Sequence, residues 1–300
     1  FFNKKLLEYY KWTKEVKGII KTEKPDVVHF LYGDVFYKYF GLGLEGLKKK
    51  HKVVNTIHAL KKGKIGIVSL KRIMHLSSVG VVHTDAIFNE VKDAGIENVV
   101  HIEYPHFSTG YDIDKAGARK YYGLSENAFV LGCIGGTRYD KGLDILLKAL
   151  QGVTGDFELL VAGAEDAIKR EEIEELARPY GDRVKLHLSF LTDEEFEMAI
   201  QAVDAIVLPY RKTFNGASGP LGEGVAKGKM IIAANHGSLG DIVEKNHLGY
   251  TFGSENIEAL KKVLNMAIQR TNYTYDEKAN AYKNKLSINE FKKQYCKLYF

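Results

Sequence analysis

The sequence predicts an α/β fold built from two domains with parallel sheets. Short apolar runs alternate along the chain with amphipathic stretches of helical period, an order typical of parallel strands joined by helices. The chain has 300 residues, which is more than one hydrophobic core usually holds, so two domains are expected. Its 45% apolar content is ordinary for a globular protein, and no apolar run approaches the length of a membrane span.

The first predicted domain begins with an amphipathic helix over residues 3–21, which Pro25 ends. Its predicted buried face consists of Leu6, Leu7, Tyr10, Val16, Ile19 and Ile20. The elements that follow are predicted as strand 27–32, helix 35–50, strand 53–57, helix 65–75, strand 79–83, helix 85–94 and strand 99–102. The glycines of segment 41–46 match a dinucleotide-binding spacing but follow no strand, so they predict only an interruption of helix 35–50.

A polar, irregular stretch at 105–116 predicts the junction, with a first domain over 1–107 and a second over 108–285. The C-terminal segment 286–300 is expected to pack back on the first domain. The second domain repeats the alternation, with strand 129–134, helix 143–150, strand 158–162, helix 165–178, strand 184–188, helix 193–202, strand 205–208, helix 220–227, strand 230–234 and helices 256–268 and 288–298.

The stretch 204–234 is predicted to carry the chemistry. A buried strand runs into a loop rich in Asn, Gly and Ser, and Pro220 then opens a short helix. Loops at the carboxyl ends of parallel strands are where open α/β sheets bind ligands, and a helix start suits a phosphate. Ser218 and Gly219 offer backbone N–H groups to such a phosphate or cap the helix, and the two interpretations are compatible.

Glu223 lies one turn inside this helix and is expected to point back toward the loop. A carboxylate there can accept hydrogen bonds from two sugar hydroxyls, or it can stabilise the helix dipole. The local sequence leaves these two interpretations even.

A second loop, 135–142, lies between strand 129–134 and helix 143–150. Its Arg138 and Lys141 form a basic pair that can neutralise a diphosphate. The alternative is that Lys141 merely starts the helix at the surface. Because the helix dipole disfavours lysine at a helix N-terminus, the placement favours an anion site.

A histidine, His58, ends the strand 53–57. A single histidine is more often structural than catalytic. Its place at the carboxyl end of a strand nevertheless makes it a functional candidate.

Taken together, these stretches resemble the retaining glycosyltransferases of family 4. The segments that carry the resemblance are VVNTIHA (53–59), IGGTRYDKGLDILLKAL (134–150), LLVAGAED (159–166), VDAIVLPY (203–210) and SGPLGEGVAKGKMIIAANHGSLGDIV (218–243). Their order and spacing agree over nearly the whole chain. The resemblance implies the GT-B type of fold, in which two Rossmann-like domains face each other across a cleft.

The resemblance also implies roles for individual residues. The implied catalytic residues are His58, Arg138, Lys141 and Glu223. The implied donor-binding residues are Gly136, Thr137, Arg138, Lys141, Phe190, Leu191, Thr192, Asn215, Gly216, Ser218, Gly219 and Glu223. Within these sets the basic pair holds the donor diphosphate and Glu223 holds the donor ribose. Residues 190–192 contact the nucleobase.

The sequence departs from the family at two places. Asn215 stands where the family's first motif glutamate would be, and it can bond a sugar hydroxyl but is neutral. The family's opening strand and glycine-rich loop have no counterpart before Pro25, so the first domain is expected to be incomplete. Either the chain is truncated relative to the family or the missing half-domain is supplied by something else.

The predicted function is a retaining glycosyltransferase of polysaccharide biosynthesis. It is expected to move a sugar from a nucleotide-diphosphate donor to a glycan or lipid-linked acceptor, without a metal or other cofactor. An epimerase or phosphorylase on the same fold is one alternative, and a degenerate transferase domain that serves as a binding or scaffold subunit is another. Nucleic acid is not a predicted partner.

The distribution of charge predicts where the protein works. Residues 1–105 carry 18 Lys and Arg against 11 Asp and Glu, although the whole chain has a net charge of only +5. Lysines interleaved with apolar residues over 60–73 are typical of a surface that lies on anionic lipid. Two unclustered cysteines indicate a reducing compartment. The prediction is a cytoplasmic protein at the inner face of the membrane, with a soluble enzyme that has a basic face as the alternative.

Overall fold

The computed structural model describes residues 4–61, 63–107, 111, 113–214, 216–270 and 272–300. Asn215, one of the implied donor-binding residues, therefore lies outside the described residues. The chain divides into two compact units, of which the first comprises Phe1–Glu103 and Lys292–Phe300 and the second Tyr104–Phe291. The assignment of the acceptor to the first domain and of the donor to the second stays a prediction.

The first unit holds a sheet of four parallel strands in the order β1-β2-β3-β4. Its elements are α1 (Lys4–Glu23), β1 (Val27–Phe30), β2 (Lys52–Ile57), α2 (Lys64–Leu76), β3 (Val79–Val82), α3 (Asp85–Asp93) and β4 (Val99–His101). Each strand is joined to the next by a helical crossover segment, which is the type of connection that parallel strands need. Buried apolar side chains of the strands and helices form one core.

The predicted helix 35–50 is wrong. Two short 3₁₀ helices occupy this region, Gly33–Tyr39 and Leu47–Lys49. Gly43 between them has φ 101°, and a methyl group added there would lie 2.6 Å from Thr13 Cγ2 in α1. The glycines that predicted an interruption thus allow the chain to turn and to approach α1 closely.

The predicted buried face of α1 is confirmed for Ile20, and Val16 packs against the core, but half of the prediction is wrong. The buried residues are Tyr9, Thr13 and Ile20, whereas Leu7, Tyr10 and Ile19 are exposed. Tyr9 stacks on Tyr39 with ring centroids 3.9 Å apart. Apolar residues occur around most of α1, so its helical period alone did not identify the side that packs on the sheet.

The second unit holds a sheet of six parallel strands in the order β10-β9-β8-β5-β6-β7. Its strands are β5 (Phe129–Ile134), β6 (Phe157–Ala162), β7 (Val184–His187), β8 (Ala205–Leu208), β9 (Met230–Asn235) and β10 (Gly249–Gly253). Its helices are α4 (Lys115–Tyr121), α5 (Leu143–Ala149), α6 (Arg170–Ala177), α7 (Asp193–Ala202), α8 (Gly219–Ala226), α9 (Gly237–Lys245), α10 (Ile257–Gln269) and α11 (Glu277–Lys285). The last helix, α12 (Ile288–Tyr299), begins in the second unit, and its residues from Lys292 onward belong to the first. The expectation of α/β architecture with parallel sheets is confirmed.

Both faces of the second sheet are buried, because successive side chains of a strand point to opposite faces. In β8, for example, Ala205 and Val207 belong to one core, and Ile206 and Leu208 to the other. Helices α5, α6 and α10 cover the first face, and α4, α7, α8, α9 and α11 cover the second. No helix among the described residues is long and apolar enough to cross a membrane.

Four elements of the second unit are absent from the sequence expectations: α4, α9, β10 and α11. Their apolar signal is weak. In β10 only Phe252 is buried, and in α11 only Ala279 and Tyr282 are. Tertiary packing rather than local periodicity determines these elements.

Candidate functional site

The order in which the chain adds strands to the second sheet reverses between β5 and β8: β6 and β7 lie on one side of β5, and β8, β9 and β10 lie on the other. Strands β5 and β8 are neighbours, with Leu131 opposite Ala205 and Gly132 opposite Ile206. The helices that follow them, α5 and α8, lie on opposite faces of the sheet. Their loops, 135–142 and 209–218, therefore diverge at the carboxyl edge, the position where open α/β sheets bind ligands. Both loops that the sequence singled out thus lie at this edge of the sheet.

The two loops are fastened to each other by backbone contacts. Gly142 has φ 67°, and a methyl group added there would lie 2.0 Å from the carbonyl oxygen of Pro209. A residue with a side chain therefore does not fit at this position without moving the backbone. The Arg211 backbone N–H donates to the carbonyl of Asp140 at 2.9 Å. This contact fixes the turn that contains the basic pair.

Arg211 is a residue that the sequence analysis missed. Its side chain is only 8% exposed and donates to both carboxylate oxygens of Asp144, at 2.9 and 2.8 Å. The guanidinium lies 3.8 Å above the ring of Tyr139 and also donates to the Tyr139 carbonyl. Arg211 thus braces loop 135–142 from loop 209–218. Nothing local distinguishes it from a surface arginine, since its partners are distant in sequence.

Lys141 places its ammonium group near Gly135, directly after the end of β5. A methyl group added at Gly135 would lie 2.6 Å from Lys141 Nζ and 3.9 Å from Pro220 Cγ, so the ammonium group is close to the start of α8. Among the residues that the structure describes, Lys141 has no hydrogen-bond or ion-pair partner. Burial lowers its pKa, because the charged form loses hydration, and Arg138 lowers it further. An anion bound here would supply the missing counter-charge.

The other member of the basic pair, Arg138, is already paired with a carboxylate of the protein. Arg138 Nε donates to Asp140 Oδ1 at 2.9 Å, and its Nη2 donates to Oδ2 of the same carboxylate. This pairing raises the pKa of Arg138. The side chain is 51% exposed and lies 5.9 Å from the ring centroid of Phe214. Arg138 and Lys141 therefore lie in one turn but in different electrostatic states.

The start of α8 is capped as the sequence predicted. Ser218 Oγ accepts a hydrogen bond from the Leu221 N–H at 3.4 Å, and the buried Tyr210 hydroxyl lies 3.2 Å from the same oxygen. Gly219 is the first residue of the helix, and it has no neighbouring atom within 4 Å of an added methyl group. The capping interpretation holds, and it leaves open space beside the helix start.

The hydrogen bond of Glu223 does not run to loop 209–218. Its Oε1 accepts from the Phe107 N–H at 2.6 Å, in the segment that precedes α4. Burial raises the pKa of this carboxyl group, and the Phe107 N–H opposes that shift. The direction that the sequence analysis expected for Glu223 is therefore not seen in this contact.

The other residues that the resemblance assigns to donor binding differ in whether their side chains are exposed or already make contacts within the protein. Phe190 is 85% exposed, whereas Leu191 packs against the core and Thr192 caps α7 through reciprocal hydrogen bonds with Glu195. Thr137 is buried, and its hydroxyl donates to the Ile168 carbonyl at 2.8 Å. The hydroxyls of both threonines thus make structural contacts.

The implied glycines, Gly136 and Gly216, belong to the same two loops. Gly216 has φ 138°, a conformation that residues with side chains rarely adopt. A methyl group at Gly136 would lie 3.4 Å from the Ala164 carbonyl oxygen, which is an ordinary contact distance. The backbone therefore favours glycine at 216, whereas position 136 has room for a small side chain. The donor-binding roles of all these residues stay predictions.

His58 belongs to the first unit and directly follows β2. Its backbone N–H and that of Ala59 donate to the Asp34 carboxylate, at 3.0 and 3.1 Å. The ring nitrogen Nε2 lies 2.8 Å from the Leu31 carbonyl oxygen, which can only accept, so Nε2 carries the proton. The ring stacks on Tyr32 with centroids 5.0 Å apart. Its catalytic role stays a prediction, because these contacts all lie within the first unit.

A cavity of about 670 Å³ lies at the opposite, amino-terminal edge of the second sheet. Cations line it, but three of them are already paired. Lys115 and Arg119 share the carboxylate of Asp204, and Lys229 Nζ donates to the Gln201 carbonyl at 2.8 Å. These three cations are therefore already held by groups of the protein. Within the described part of the chain, no group of three or more metal-ligating side chains occurs.

The comparisons with known proteins point to one class of enzyme. Residues 128–270, which include both loops of the carboxyl edge, match the family model described as glycosyl transferases group 1. The chain is 24% identical over 271 residues to the glycogen synthase of Rhodopseudomonas palustris, covering 83% of this chain and 52% of the synthase. It is 24% identical over 132 residues to the glycogen synthase of Pseudomonas syringae, covering 44% and 27%. The chain thus spans about half or less of the length of these relatives.

Solved structures share the fold. A sucrose-phosphate synthase from Thermosynechococcus elongatus matches with a TM-score of 0.78 at 17% identity, covering 96% of this chain and 76% of that one. Anabaena HepE in complex with UDP matches with a TM-score of 0.78 at 18% identity, covering 94% and 80%. The fold is therefore that of GT-B glycosyltransferase structures. The glycosyl transferases group 1 match over residues 128–270 and the glycogen synthase relatives together support a glycosyltransferase.

Proposed function

We propose that this chain transfers a sugar from a nucleoside diphosphate donor to an acceptor, with retention of configuration and without a metal ion. The observation that carries the proposal is Lys141, a half-buried cation without a described partner beside the start of α8. Burying an unpaired charge destabilises a fold, so this arrangement is explained best by a ligand that brings the opposite charge. A diphosphate is such a ligand.

The chemistry of the proposal follows from the leaving group. When the bond between sugar and diphosphate breaks, negative charge grows on the departing phosphate. Lys141 and the positive end of the α8 dipole stabilise that charge through preorganised contacts. Arg138 adds to this stabilisation once it is released from Asp140. In this proposal the acceptor attacks from the face of the leaving group, and the departing phosphate takes the acceptor proton. No protein base is then required.

The comparisons narrow the choice of donor. Among the structures of similar fold, HepE is described in complex with UDP and with UDP-glucose, and starch synthase IV of Arabidopsis thaliana with ADP and acarbose. The first donors to test are therefore UDP- and ADP-sugars. Because the curated relatives are glycogen synthases, a glycan is the acceptor class favoured here, with a lipid-linked glycan as the second choice.

The test is direct. The protein is incubated with UDP-, ADP- and GDP-sugars in the presence of EDTA, with and without an oligosaccharide acceptor, while nucleotide release and the melting temperature are followed. Acceptor-dependent release of nucleoside diphosphate supports transfer. Conversion of the donor without an acceptor indicates the epimerase alternative, and a melting shift without any release indicates a binding module. If neither nucleotide release nor a melting shift is observed, the proposal is contradicted.

A second observation supports association with a membrane surface. On α2 of the first unit, Ile65 and Val68 are 74% and 57% exposed, and they lie on one helical face flanked by the exposed Lys64 and Lys71. Exposed apolar residues framed by lysines fit an anionic lipid surface. The proposed site of action is the cytoplasmic face of the membrane.

Co-sedimentation with vesicles tests this. Binding to anionic vesicles is expected to fall at high salt and in the double variant Ile65→Ser/Val68→Ser. The matched control is Met266→Ser, which removes an exposed apolar side chain of the second unit. Failure to bind anionic vesicles at low salt removes the membrane proposal and leaves the transferase proposal intact.

A further inference from the structure

The turn that holds the basic pair also holds an acidic residue that competes with the ligand. Asp140 lies between Arg138 and Lys141 in sequence, and both of its carboxylate oxygens accept from the Arg138 guanidinium. The Asp140 side chain is 22% exposed, and that of Arg138 is 51% exposed. One of the two guanidinium edges that can hold a phosphate by two hydrogen bonds, the edge formed by Nε and Nη2, is thus occupied within the protein.

The acidic partner is the fixed member of this pair. The Asp140 carbonyl accepts from the Arg211 N–H at 2.9 Å, and Arg211 also holds the neighbouring Tyr139 by its carbonyl and its ring. The backbone of Asp140 is therefore tied to loop 209–218. Arg138 has the longer and more exposed side chain, so an exchange of partners requires Arg138 to move while Asp140 stays.

The local charges show what Asp140 changes. The turn carries two cations and one anion, and a diphosphate ester brings at least two negative charges. Because Asp140 pairs with Arg138, Lys141 is the cation of this turn that lacks a described counter-charge. Asp166 adds to the effect of Asp140 on the pKa of Arg138, which is raised, and it opposes the lowering of the Lys141 pKa by burial. The turn is therefore less positive than its two cations alone would make it.

We propose that Asp140 is a positioning residue that holds Arg138 away from the diphosphate site and thereby sets the affinity of that site. The inference rests on the function proposed above. In this proposal a diphosphate takes the Nε and Nη2 edge of Arg138 from Asp140, so the observed affinity is reduced in proportion to the fraction of molecules in which the pair is closed. Removing the carboxylate makes Arg138 available and also removes a repulsive charge.

The test is a set of five proteins titrated with UDP, ADP and inorganic pyrophosphate in EDTA at low salt. Asp140→Asn keeps the shape of the side chain and removes its charge, and it is expected to bind diphosphates about three- to tenfold more tightly than the wild type. Asp140→Glu keeps the charge and is the matched control, with affinity near that of the wild type. In the Arg138→Gln background, measured with the single and the double variant, the gain from Asp140→Asn is expected to shrink to the part that comes from removing the repulsive charge.

Each other outcome contradicts the inference in a distinct way. Equal or weaker binding by a folded Asp140→Asn protein shows that the carboxylate does not compete. A gain of undiminished size with Arg138→Gln shows that Asp140 acts by repulsion alone and not through Arg138. If neither the wild type nor any variant binds a diphosphate, the proposed function itself fails.

Discussion

The two edges of the second sheet carry basic residues in opposite states. At the amino edge, Lys115 and Arg119 share Asp204, and Lys229 donates to a carbonyl beside a cavity of about 670 Å³. At the carboxyl edge, Lys141 has no described partner, and Arg138 is held by one carboxylate. The difference favours the carboxyl edge as the candidate ligand site because its lysine lacks a described counter-charge, although the cavity lies at the other edge.

The same comparison separates two kinds of buried cation. A paired cation contributes to the fold, and removing its partner destabilises the protein. An unpaired cation lowers stability in the empty protein and contributes only when a ligand arrives. Substitution of a paired cation should therefore change mainly the free energy of unfolding, whereas substitution of an unpaired cation should change mainly the affinity for a ligand.

The largest effect is expected for the residue that joins the two loops of the carboxyl edge. Arg211→Ala leaves the Asp144 carboxylate, which is 11% exposed, without its bidentate partner, and we expect a loss of about 3 kcal/mol in the free energy of unfolding. Diphosphate affinity should fall as well, because the turn 139–141 loses its brace. Urea unfolding and calorimetry measure the two effects, with the exposed Arg178→Ala as control. Unchanged stability would contradict the bracing role.

Lys141→Ala should show the opposite profile. The affinity for a nucleoside diphosphate is expected to fall by roughly 1.5–3 kcal/mol, the range for a hydrogen bond to a charged group. Thermal stability should stay the same or rise, because an unpaired buried charge is removed. Lys262→Ala removes an exposed lysine of α10 and is the matched control. A variant that melts early and binds normally would place Lys141 among the structural residues.

The amino edge makes a prediction about pH. Burial, with repulsion from Lys115 and Arg119, lowers the pKa of Lys229 to about 8, and Asp204 opposes the shift. Since an unfolded lysine has a pKa of about 10.4, the unfolded state binds more protons between these values, and stability contributed by Lys229 rises with pH there.

This contribution is measurable as a difference between two proteins. Relative to Lys229→Met, the wild-type free energy of unfolding should increase by about 2 kcal/mol between pH 7 and pH 9.5. The methionine variant serves as the reference because the buried tyrosines titrate equally in both proteins. A difference that is flat or falls with pH would show that Lys229 is not buried as a charged group.

Much of the architecture could be predicted because strands buried on both faces read as continuous apolar runs. The prediction for β5, β8 and α7 agrees with the structure at both ends. Helix 35–50 failed because glycines at positive φ allow a turn that an apolar period cannot reveal. Elements such as β10 and α11 were missed because they bury too few side chains to leave a pattern.

The candidate site was predictable in its loops but not in its charge states. Glycine-flanked basic residues after β5 and the capped start of α8 are local features, so the sequence contains them. The pairing of Arg138 with Asp140 depends on backbone direction, and the brace by Arg211 joins residues far apart in the chain. Only the folded structure distinguishes an occupied arginine from an unpaired lysine.

The smallest expected loss of stability concerns Glu223, which tests whether α8 contributes to ligand binding beyond its dipole. Glu223→Gln keeps an oxygen that can accept from the Phe107 N–H and removes the charge, so a purely structural carboxylate should cost about 0.3–1 kcal/mol of stability. If Glu223 binds the donor ribose, UDP affinity should also fall, while the affinity for inorganic pyrophosphate, which has no ribose, should stay the same. Calorimetric titration of the two ligands on one preparation separates these roles. An equal loss for both ligands would place Glu223 at the diphosphate, and no loss for either would leave it as a support for the segment around Phe107.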